Sequence, residues 1–234
     1  AYLAQLGGSD FAASGCTGML DIIASLEWVR DNIEAFGGDP NTVTIFGESG
    51  GGRKVSTLLA MPGATGLFHR AIIQSGAILR VRNPRDATRE AELVLAKVGL
   101  RSNQGHELQM VPTDTLFEAA LEAAGGFEPE ERVVGMTGNT PVLDGDAIPV
   151  PPFDPTAPAV SADVPVLVGY NRTEETLWWQ NREMPLDMQE GELLERIAAL
   201  LRSDVDAPRV IEAYRDAYPD ARPWDHYILI CTDY

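Results

Sequence analysis

The chain has 234 residues, of which 44% are hydrophobic, and its 18 basic and 35 acidic side chains give a formal net charge of −17. This length and apolar content suffice for the core of one large domain or two small ones. The acidic balance argues against nucleic acid or an anionic membrane surface as a partner, because phosphate groups would be repelled. No apolar run reaches the roughly 18 residues that a membrane-spanning helix needs.

Helices and strands alternate in the first third of the chain. Apolar residues at every third or fourth position predict a helix over 14–36, with Gly37 as its C-terminal cap. β-Branched and apolar residues predict strands over 42–46 and 71–74. Between them, the apolar positions within 55–61 share one helical face. The order helix, strand, helix, strand indicates a parallel sheet with crossover helices.

The middle of the chain predicts further helices and one more strand. We predict helices over 84–98 and 113–124, the first with Asn83 as its N-terminal cap. The segment 149–165 is rich in proline and lacks periodicity, which is typical of a long surface connection. It leads into the apolar run 164–169, which predicts a buried strand with a proline near its start.

Two more helices are predicted near the end of the chain, over 190–201 and 208–218. They are followed by an apolar run, 227–231, that should be buried. This run ends three residues before Tyr234. We therefore expect that the chain is a part of a longer protein, which would also carry any targeting segment.

The cysteine content predicts neither a disulfide nor a metal site. Cys16 and Cys231 fit no ligand spacing and no disulfide framework, so we expect two free thiols. No cluster of histidine, cysteine and acidic residues stands at metal spacing, so the sequence implies no metal or organic cofactor. The few cysteines slightly favour a cytoplasmic location.

The pentapeptide Gly47-Glu48-Ser49-Gly50-Gly51 matches the pattern G-x-S-x-G. Alone it is weak, since it should arise by chance in roughly one chain in ten of this length. Its position between a predicted strand and a predicted helix is that of a nucleophile elbow, in which a strained turn projects the serine above the sheet edge. We expect Gly47 and Gly51 to be required because strand and helix approach too closely there for a Cβ. The alternative for Ser49 is a turn serine in a glycine loop.

The run from Gly18 to Gly76 resembles the type-B carboxylesterases, the cholinesterase-like branch of the α/β-hydrolase fold. The segments that carry the resemblance are 26–33, 36–44, 46–52, 67–72, 74–76, 141–145 and 165–172. The resemblance implies an α/β class and a partial α/β-hydrolase fold, with a mostly parallel central sheet and helices on both faces. It further implies that 1–234 is the central part of a single domain, with a helical insertion around 84–125 and a helical region at 190–218.

The resemblance also implies an acyl-transfer site. Ser49 corresponds to the nucleophile, and the Gly50 backbone N–H to one donor of the oxyanion hole. The family pattern G-x-N-x-x-E falls on Gly169, Asn171 and Glu174, which implies that Glu174 is the triad acid that orients the catalytic histidine. The alternative for this carboxylate is a solvated loop position after a strand.

Three features depart from the family pattern. Glu175 stands where the family usually has glycine, so two adjacent carboxylates compete for the role of the acid. The histidine that follows Glu174 is His226, in an apolar segment and not in the loop where the family places its base. Arg53 and Lys54 replace small or apolar residues, although cations near a helix N-terminus oppose its dipole by about 0.3–1 kcal/mol. Two explanations are open: the two cationic side chains extend along the helix to solvent, or the packing around this helix differs from that in the family.

The resemblance therefore implies a serine carboxylesterase that hydrolyses neutral carboxylic esters through an acyl-enzyme on Ser49. The chain alone should be nearly inactive, because the histidine and the upstream glycine-rich oxyanion loop are expected outside it. Its expected partners are a small ester and a companion chain or segment that completes the fold, with no nucleic acid and no membrane span. The alternatives are a non-catalytic α/β-hydrolase-like binding module, and a lipase or peptidase on the same fold. Trp178 and Trp179 are candidates for the pocket wall, with core packing as the alternative.

Overall fold

A computed structural model of the chain describes residues 2–125, 140–180, 183–201 and 205–234. They form two compact units, Ala1–Val168 and Gly169–Tyr234. The helices are α1 (Thr17–Asn32), α2 (Gly50–Leu58), α3 (Pro84–Lys97), α4 (Thr113–Gly125), α5 (Glu190–Leu200), α6 (Ala207–Ala217) and α7 (Pro223–Asp233); the strands are β1 (Thr44–Glu48), β2 (Arg70–Gln74) and β3 (Val166–Gly169). Short 3₁₀ segments cover Ser9–Phe11, Ile33–Phe36, Pro62–Ala64, Ser102–Met110, Ala159–Ser161 and Glu174–Trp179. The division of the chain into one domain with a helical insertion stays a prediction.

The three strands form one sheet in the order β1-β2-β3. β1 and β2 pair in parallel, with Thr44 opposite Arg70 and Glu48 opposite Gln74. Since parallel neighbours need a crossover connection, α2 lies between them in sequence. The Ala71 N–H donates to the Pro165 carbonyl at 3.0 Å, just before β3 begins. The predicted α/β class, with parallel strands and crossover helices, is confirmed.

The core of the first unit lies between α2, β2 and α1. The helical face predicted from spacing is buried, and its members are Val55, Leu58, Leu59 and Met61. Ile73 on β2 packs in the same cluster, together with Met19 and Leu26 of α1. Burial of each such side chain is worth roughly 1.5–3 kcal/mol against the unfolded chain. This packing fixes α2 against the sheet and so fixes the turn between β1 and α2.

The predicted helix ends are present with small shifts. The helix expected over 14–36 is α1 followed by a 3₁₀ turn, Ile33–Phe36, and Gly37 then adopts a φ of 83°. Asn83 caps α3 as expected, since its side chain accepts from the Asp86 N–H at 2.9 Å. In both cases a local signal, a glycine with positive φ or an amide side chain, ends or begins the helix where the sequence indicated.

The burial predicted for the strand at 164–169 is wrong. β3 begins at Val166, and its side chains are exposed, with Leu167 at 62% relative exposure. In the described part of the chain β3 has a neighbour only on its β2 side. An apolar run therefore identified the strand correctly, but its burial depends on neighbours that are not encoded in the run itself.

The second unit is a helical cluster around aromatic side chains. Trp179 packs edge-on against Trp224 with ring centroids 4.9 Å apart, and Trp224 stacks on Tyr227 at 5.6 Å. The Arg196 guanidinium lies 5.8 Å from the Trp179 ring centroid, within the range of a cation–π contact. Trp179 is thus part of this core, whereas Trp178 is 64% exposed.

Helix α7 was not predicted, although the burial of its apolar run was. Ile228, Leu229 and Ile230 are all buried. The overlooked helix signals are Pro223 at the first helical position and Asp225, whose carboxylate accepts from the Arg222 N–H at 3.1 Å. Among the described helices, none is both long and apolar enough to cross a membrane.

Both cysteines are free thiols, as predicted. The Cys16 thiol donates to the Val142 carbonyl at 3.2 Å. Burial raises the pKa of Cys16 to about 12, and burial likewise raises the pKa of Cys231 to about 12. Each thiol is therefore almost entirely protonated at neutral pH, which makes it a poor nucleophile.

We expect both cysteines to resist alkylation in the folded chain. At pH 8, a thiol with a pKa near 12 has roughly a thousandfold less thiolate than one at the ordinary value of 9.0. Mass spectrometry after iodoacetamide treatment, with and without urea, measures this difference. Labelling in the absence of urea at a rate within about tenfold of that in urea would contradict the expected protection.

Candidate active site

Ser49 occupies the turn between the end of β1 and the start of α2. Its backbone has a φ of 50° and a ψ of −115°, a conformation that residues with a side chain rarely adopt. The Ser49 N–H donates to the Gln74 carbonyl at 2.9 Å, and the Ser49 carbonyl accepts from the Arg53 N–H at 3.0 Å. The side chain is exposed and does not cap α2. The turn thus has the predicted strained conformation, and its hydroxyl is not engaged by the helix that follows.

Three glycines make this turn possible. A Cβ added at Gly47 would lie 2.4 Å from the Gly51 carbonyl carbon, and one at Gly76 would lie 2.2 Å from the Ser49 carbonyl oxygen. A Cβ at Gly52 would lie 3.0 Å from the Gly76 Cα. The close approach is therefore between the backbones of β1, α2 and the segment after β2.

The expectation that Gly51 is required is wrong. A Cβ built at Gly51 has no neighbour within 4 Å. The Gly51 backbone itself creates the crowding at Gly47, whereas its own missing side chain would face open space. The positions that need glycine for lack of space are Gly47 and Gly76, with Gly52 close to the limit.

We expect Gly47→Ala to destabilise the chain by about 3 kcal/mol, because the new methyl group would overlap the Gly51 backbone. Gly51→Ala is the matched control in the same turn. It should be neutral, or stabilise by up to about 1 kcal/mol through its better helix propensity in α2. Urea unfolding followed by circular dichroism compares the two variants. Equal unfolding midpoints would show that the crowding at Gly47 is relieved by backbone movement.

Gly50 begins α2 directly after Ser49. The first N–H groups of a helix have no carbonyl four residues earlier within the helix, so the Gly50 N–H is free of the helical ladder. A Cβ at this position would have only the Lys54 Nζ within 4 Å, at 3.9 Å, so space does not demand glycine here. The role of Gly50 as an oxyanion donor stays a prediction.

Glu174 lies at the start of the 3₁₀ helix Glu174–Trp179, in the second unit. Its Oε1 accepts from the Asn171 backbone N–H at 2.6 Å and from the Asn171 side-chain amide at 3.1 Å. The asparagine of the G-x-N-x-x-E pattern therefore holds the glutamate three residues later. This role of Asn171 was not assigned from the sequence, although the pattern itself contained the signal.

Glu175 has different surroundings from its neighbour. Its Oε1 accepts from the Trp179 indole N–H at 3.3 Å, and its backbone N–H donates to the Thr232 hydroxyl at 3.4 Å. These contacts tie Glu175 to the aromatic core and to α7. Glu174 is instead hydrogen-bonded to Asn171 in the loop that follows β3, and its role as the triad acid stays a prediction.

His226 belongs to the helical core of the second unit. The side chain is buried on α7, and its Nε2 lies 3.1 Å from the Tyr218 carbonyl oxygen. A ring in this position links the end of α6 to α7 and has the surroundings of a structural histidine. The structure thus brings together Ser49 and Gly50 in the first unit, and places Glu174 and His226 in the second.

A cavity of about 470 Å³ lies in the first unit beside Gly50. Arg53 and Lys54 both line it, and the Lys54 ammonium donates to the Gly50 carbonyl at 3.3 Å. The cavity also contacts a buried ion pair, in which the Arg82 Nη1 lies 2.5 Å from the Glu90 Oε2. The two unexpected cations therefore border a concave space next to the candidate oxyanion donor. In the described ranges no group of His, Cys, Asp and Glu side chains is arranged to hold a metal ion.

Comparison with known proteins gives a consistent result. The family model described as the carboxylesterase family matches residues 3–219. The Bacillus subtilis para-nitrobenzyl esterase is 34% identical over 203 residues, which are 87% of this chain and 40% of that protein. Liver carboxylesterase 1 of Oryctolagus cuniculus is 35% identical over 204 residues, covering 82% of this chain and 35% of its own length.

Among solved structures, the carboxylesterase EST55 of Geobacillus stearothermophilus superposes with a TM-score of 0.79 at 34% identity. The superposition covers 99% of this chain and 46% of that protein. This chain thus spans less than half the length of the relatives and solved structures that it matches here.

Proposed function

Because the chain belongs to the carboxylesterase family, we propose that it supplies the nucleophile Ser49 and the triad acid Glu174 of a serine carboxylesterase. Its fold is correspondingly the α/β-hydrolase fold in part, with parallel strands flanked by helices. The observation that carries the proposal is the backbone of Ser49, whose positive φ presents an exposed hydroxyl at the carboxyl end of β1. Ester hydrolysis is the general chemistry of the family, and in this proposal Ser49 and Glu174 are two of the residues that carry it out.

In the proposed mechanism, the Ser49 hydroxyl attacks the ester carbonyl while a histidine takes its proton. The Gly50 N–H donates to the oxyanion that forms on the carbonyl oxygen. Glu174 holds the imidazole in the correct orientation and stabilises its protonated form. The alcohol leaves with a proton from the histidine, and water then hydrolyses the acyl group from Ser49.

The histidine and the other oxyanion donors would come from the rest of a longer protein or from a companion chain. We use the term parent protein for a protein of its relatives' length that contains this chain. His226, buried and bonded to Tyr218, is a poor candidate for the base. Loss of a triad histidine costs roughly a million-fold in turnover, and each missing oxyanion donor costs roughly a further hundredfold. The chain alone should therefore be nearly inactive.

Intact-mass spectrometry after treatment with a fluorophosphonate tests the proposal. The parent protein should gain one adduct, and the Ser49→Ala variant of the parent should gain none. The isolated chain should gain no adduct within the same time. A folded parent protein without an adduct would contradict the nucleophile assignment, whereas a Ser49-dependent adduct on the isolated chain would contradict its inactivity.

A further inference from the structure

The loop that follows β3 is held by the last two residues of α7. We use the term acid loop for residues 170–175. The Tyr170 hydroxyl donates to the Asp233 Oδ1 at 3.2 Å, and the Glu175 backbone N–H donates to the Thr232 hydroxyl at 3.4 Å. These two contacts lie on either side of the proposed triad acid in the sequence, so α7 holds the acid loop both before and after it.

The Asp233 carboxylate accepts hydrogen bonds from two different parts of the chain. Its Oδ2 accepts from the Tyr214 hydroxyl of α6 at 2.6 Å, while its Oδ1 accepts from Tyr170 of the acid loop. Bonds to both oxygens fix the orientation of the carboxylate, and hydrogen bonds to an ionised acceptor are stronger than those between neutral groups. Asp233 therefore links the acid loop to α6 as well as to α7.

Both tyrosines keep the protons that they donate to Asp233. The negative charge of Asp233 raises the pKa of Tyr170 above its ordinary value of 10.0. Burial, together with the hydrogen bond to Asp233, raises the pKa of Tyr214. Each hydroxyl is therefore a donor throughout the neutral pH range in which an esterase is assayed.

Tyr170 is directly followed by the residue that bonds the proposed acid. The Asn171 backbone N–H donates to the Glu174 Oε1 at 2.6 Å. Because this N–H belongs to the rigid peptide group that joins Tyr170 to Asn171, a displacement of the tyrosine also displaces the donor that holds the carboxylate. We propose that Asp233 is a positioning residue of the esterase, which restrains the acid loop through Tyr170 and thereby keeps Glu174 in place. The role of Glu174 in this inference rests on the proposed function, whereas the restraint of the loop does not.

Asp233→Ala in the parent protein should lower kcat for a simple ester by about tenfold and leave KM within about twofold, because the acid orients the histidine in the chemical step. The loss should be limited, since the Arg172 guanidinium also holds the acid loop, 5.7 Å from the Tyr218 ring centroid. Tyr170→Phe, which removes only the hydroxyl, should lower kcat by about three- to tenfold. Asp216→Ala is the control, because it removes an exposed carboxylate from α6, and it should keep kcat within about twofold.

A double-mutant cycle separates positioning from a merely structural role. When Asp233→Ala is added to Glu174→Gln, kcat should fall by less than about a further twofold, because the charge that Asp233 positions is already absent. A general loss of stability would instead lower the folded fraction by the same factor in both backgrounds. Thermal unfolding and circular dichroism confirm that each variant is folded, and Tyr170→Phe can replace Asp233→Ala in the cycle if the latter is not.

The restraint on the acid loop is also measurable without catalysis. In the 234-residue chain, NMR measures the rate at which the Asn171 amide proton exchanges with solvent. The hydrogen bond to Glu174 protects this proton, and the bond should open more often when the loop is released. We expect exchange to be about three- to tenfold faster in Asp233→Ala and in Tyr170→Phe than in Asp216→Ala.

Several results would overturn the inference. An unchanged kcat in Asp233→Ala, or an equal loss of kcat with and without Glu174→Gln, would show that Asp233 does not act through the acid. Unchanged exchange of the Asn171 amide proton in Asp233→Ala and Tyr170→Phe would show that Asp233 does not restrain the loop. If Glu174→Gln alone left kcat unchanged, the proposed function would fail instead, and the exchange rates would still decide whether Asp233 holds the acid loop.

Discussion

Ser49→Ala in the parent protein should lower kcat for a simple ester by about a million-fold, while KM changes little. The Ser49 hydroxyl oxygen forms the covalent bond to the acyl group. Within the turn 47–51, which joins β1 to α2, no other residue has a hydroxyl group that could replace it. At 25 °C this factor corresponds to about 8 kcal/mol of transition-state stabilisation. Steady-state hydrolysis of a chromogenic ester by the unaltered parent and by the variant measures the ratio of their kcat values, down to the detection limit of the assay.

The matched control is Ser25→Ala, which removes an exposed hydroxyl that donates to the Asp21 carbonyl within α1. It should retain the activity of the unaltered parent within a factor of about two. Residual turnover in Ser49→Ala above about one per cent, in a preparation free of contaminating esterase, would show that another group is the nucleophile.

Glu174→Gln in the parent protein should lower kcat by about ten-thousand-fold. The amide keeps the size of the side chain and can still accept from Asn171, so the loop should keep its shape. What it loses is the negative charge that orients the histidine and stabilises its protonated form in the transition state. The fall should therefore appear in kcat and not in the affinity for substrate.

Glu175→Gln is the control, because it makes the same chemical change one residue later. Its carboxylate contacts the Trp179 indole and its effect should be less than about tenfold in kcat. The pair of measurements, made with the same ester and at the same pH, decides which carboxylate is the acid. A larger loss in Glu175→Gln than in Glu174→Gln would reverse the assignment.

The site region was predictable to the extent that its determinants are local. The alternation of β1, the glycine turn and the apolar face of α2 lie within about twenty consecutive residues, and each is visible in the sequence. The requirement for glycine at position 76 was not predicted from the sequence, because it arises where the chain after β2 approaches the Ser49 carbonyl. The expectation that Gly51 leaves no room for a Cβ was wrong for a similar reason, because a motif shows which residues are present and not which atoms surround them.

The remaining differences also arise from contacts between distant segments. The run at 164–169 predicted a strand correctly, but its exposure depends on which strands lie beside it. Arg53 and Lys54 line a cavity that residues near both 16 and 140 help to form, so the sequence around them alone does not reveal their surroundings. Trp178 and Trp179 are adjacent in sequence, yet one is exposed and the other packs on Trp224, because a turn of 3₁₀ helix directs them differently.

The sheet has a consequence for how the chain behaves in concentrated solution. In the described part of the chain, β1 and β3 each have one strand neighbour, and each exposes a large apolar side chain, Phe46 at 73% and Leu167 at 62%. Such open edges favour edge-to-edge pairing between copies. At neutral pH the charge of −17 opposes it by colloidal repulsion, which fades as the pH approaches the isoelectric point near 4.4. The isolated chain should therefore be handled near neutral pH and at low ionic strength, where that repulsion is strongest.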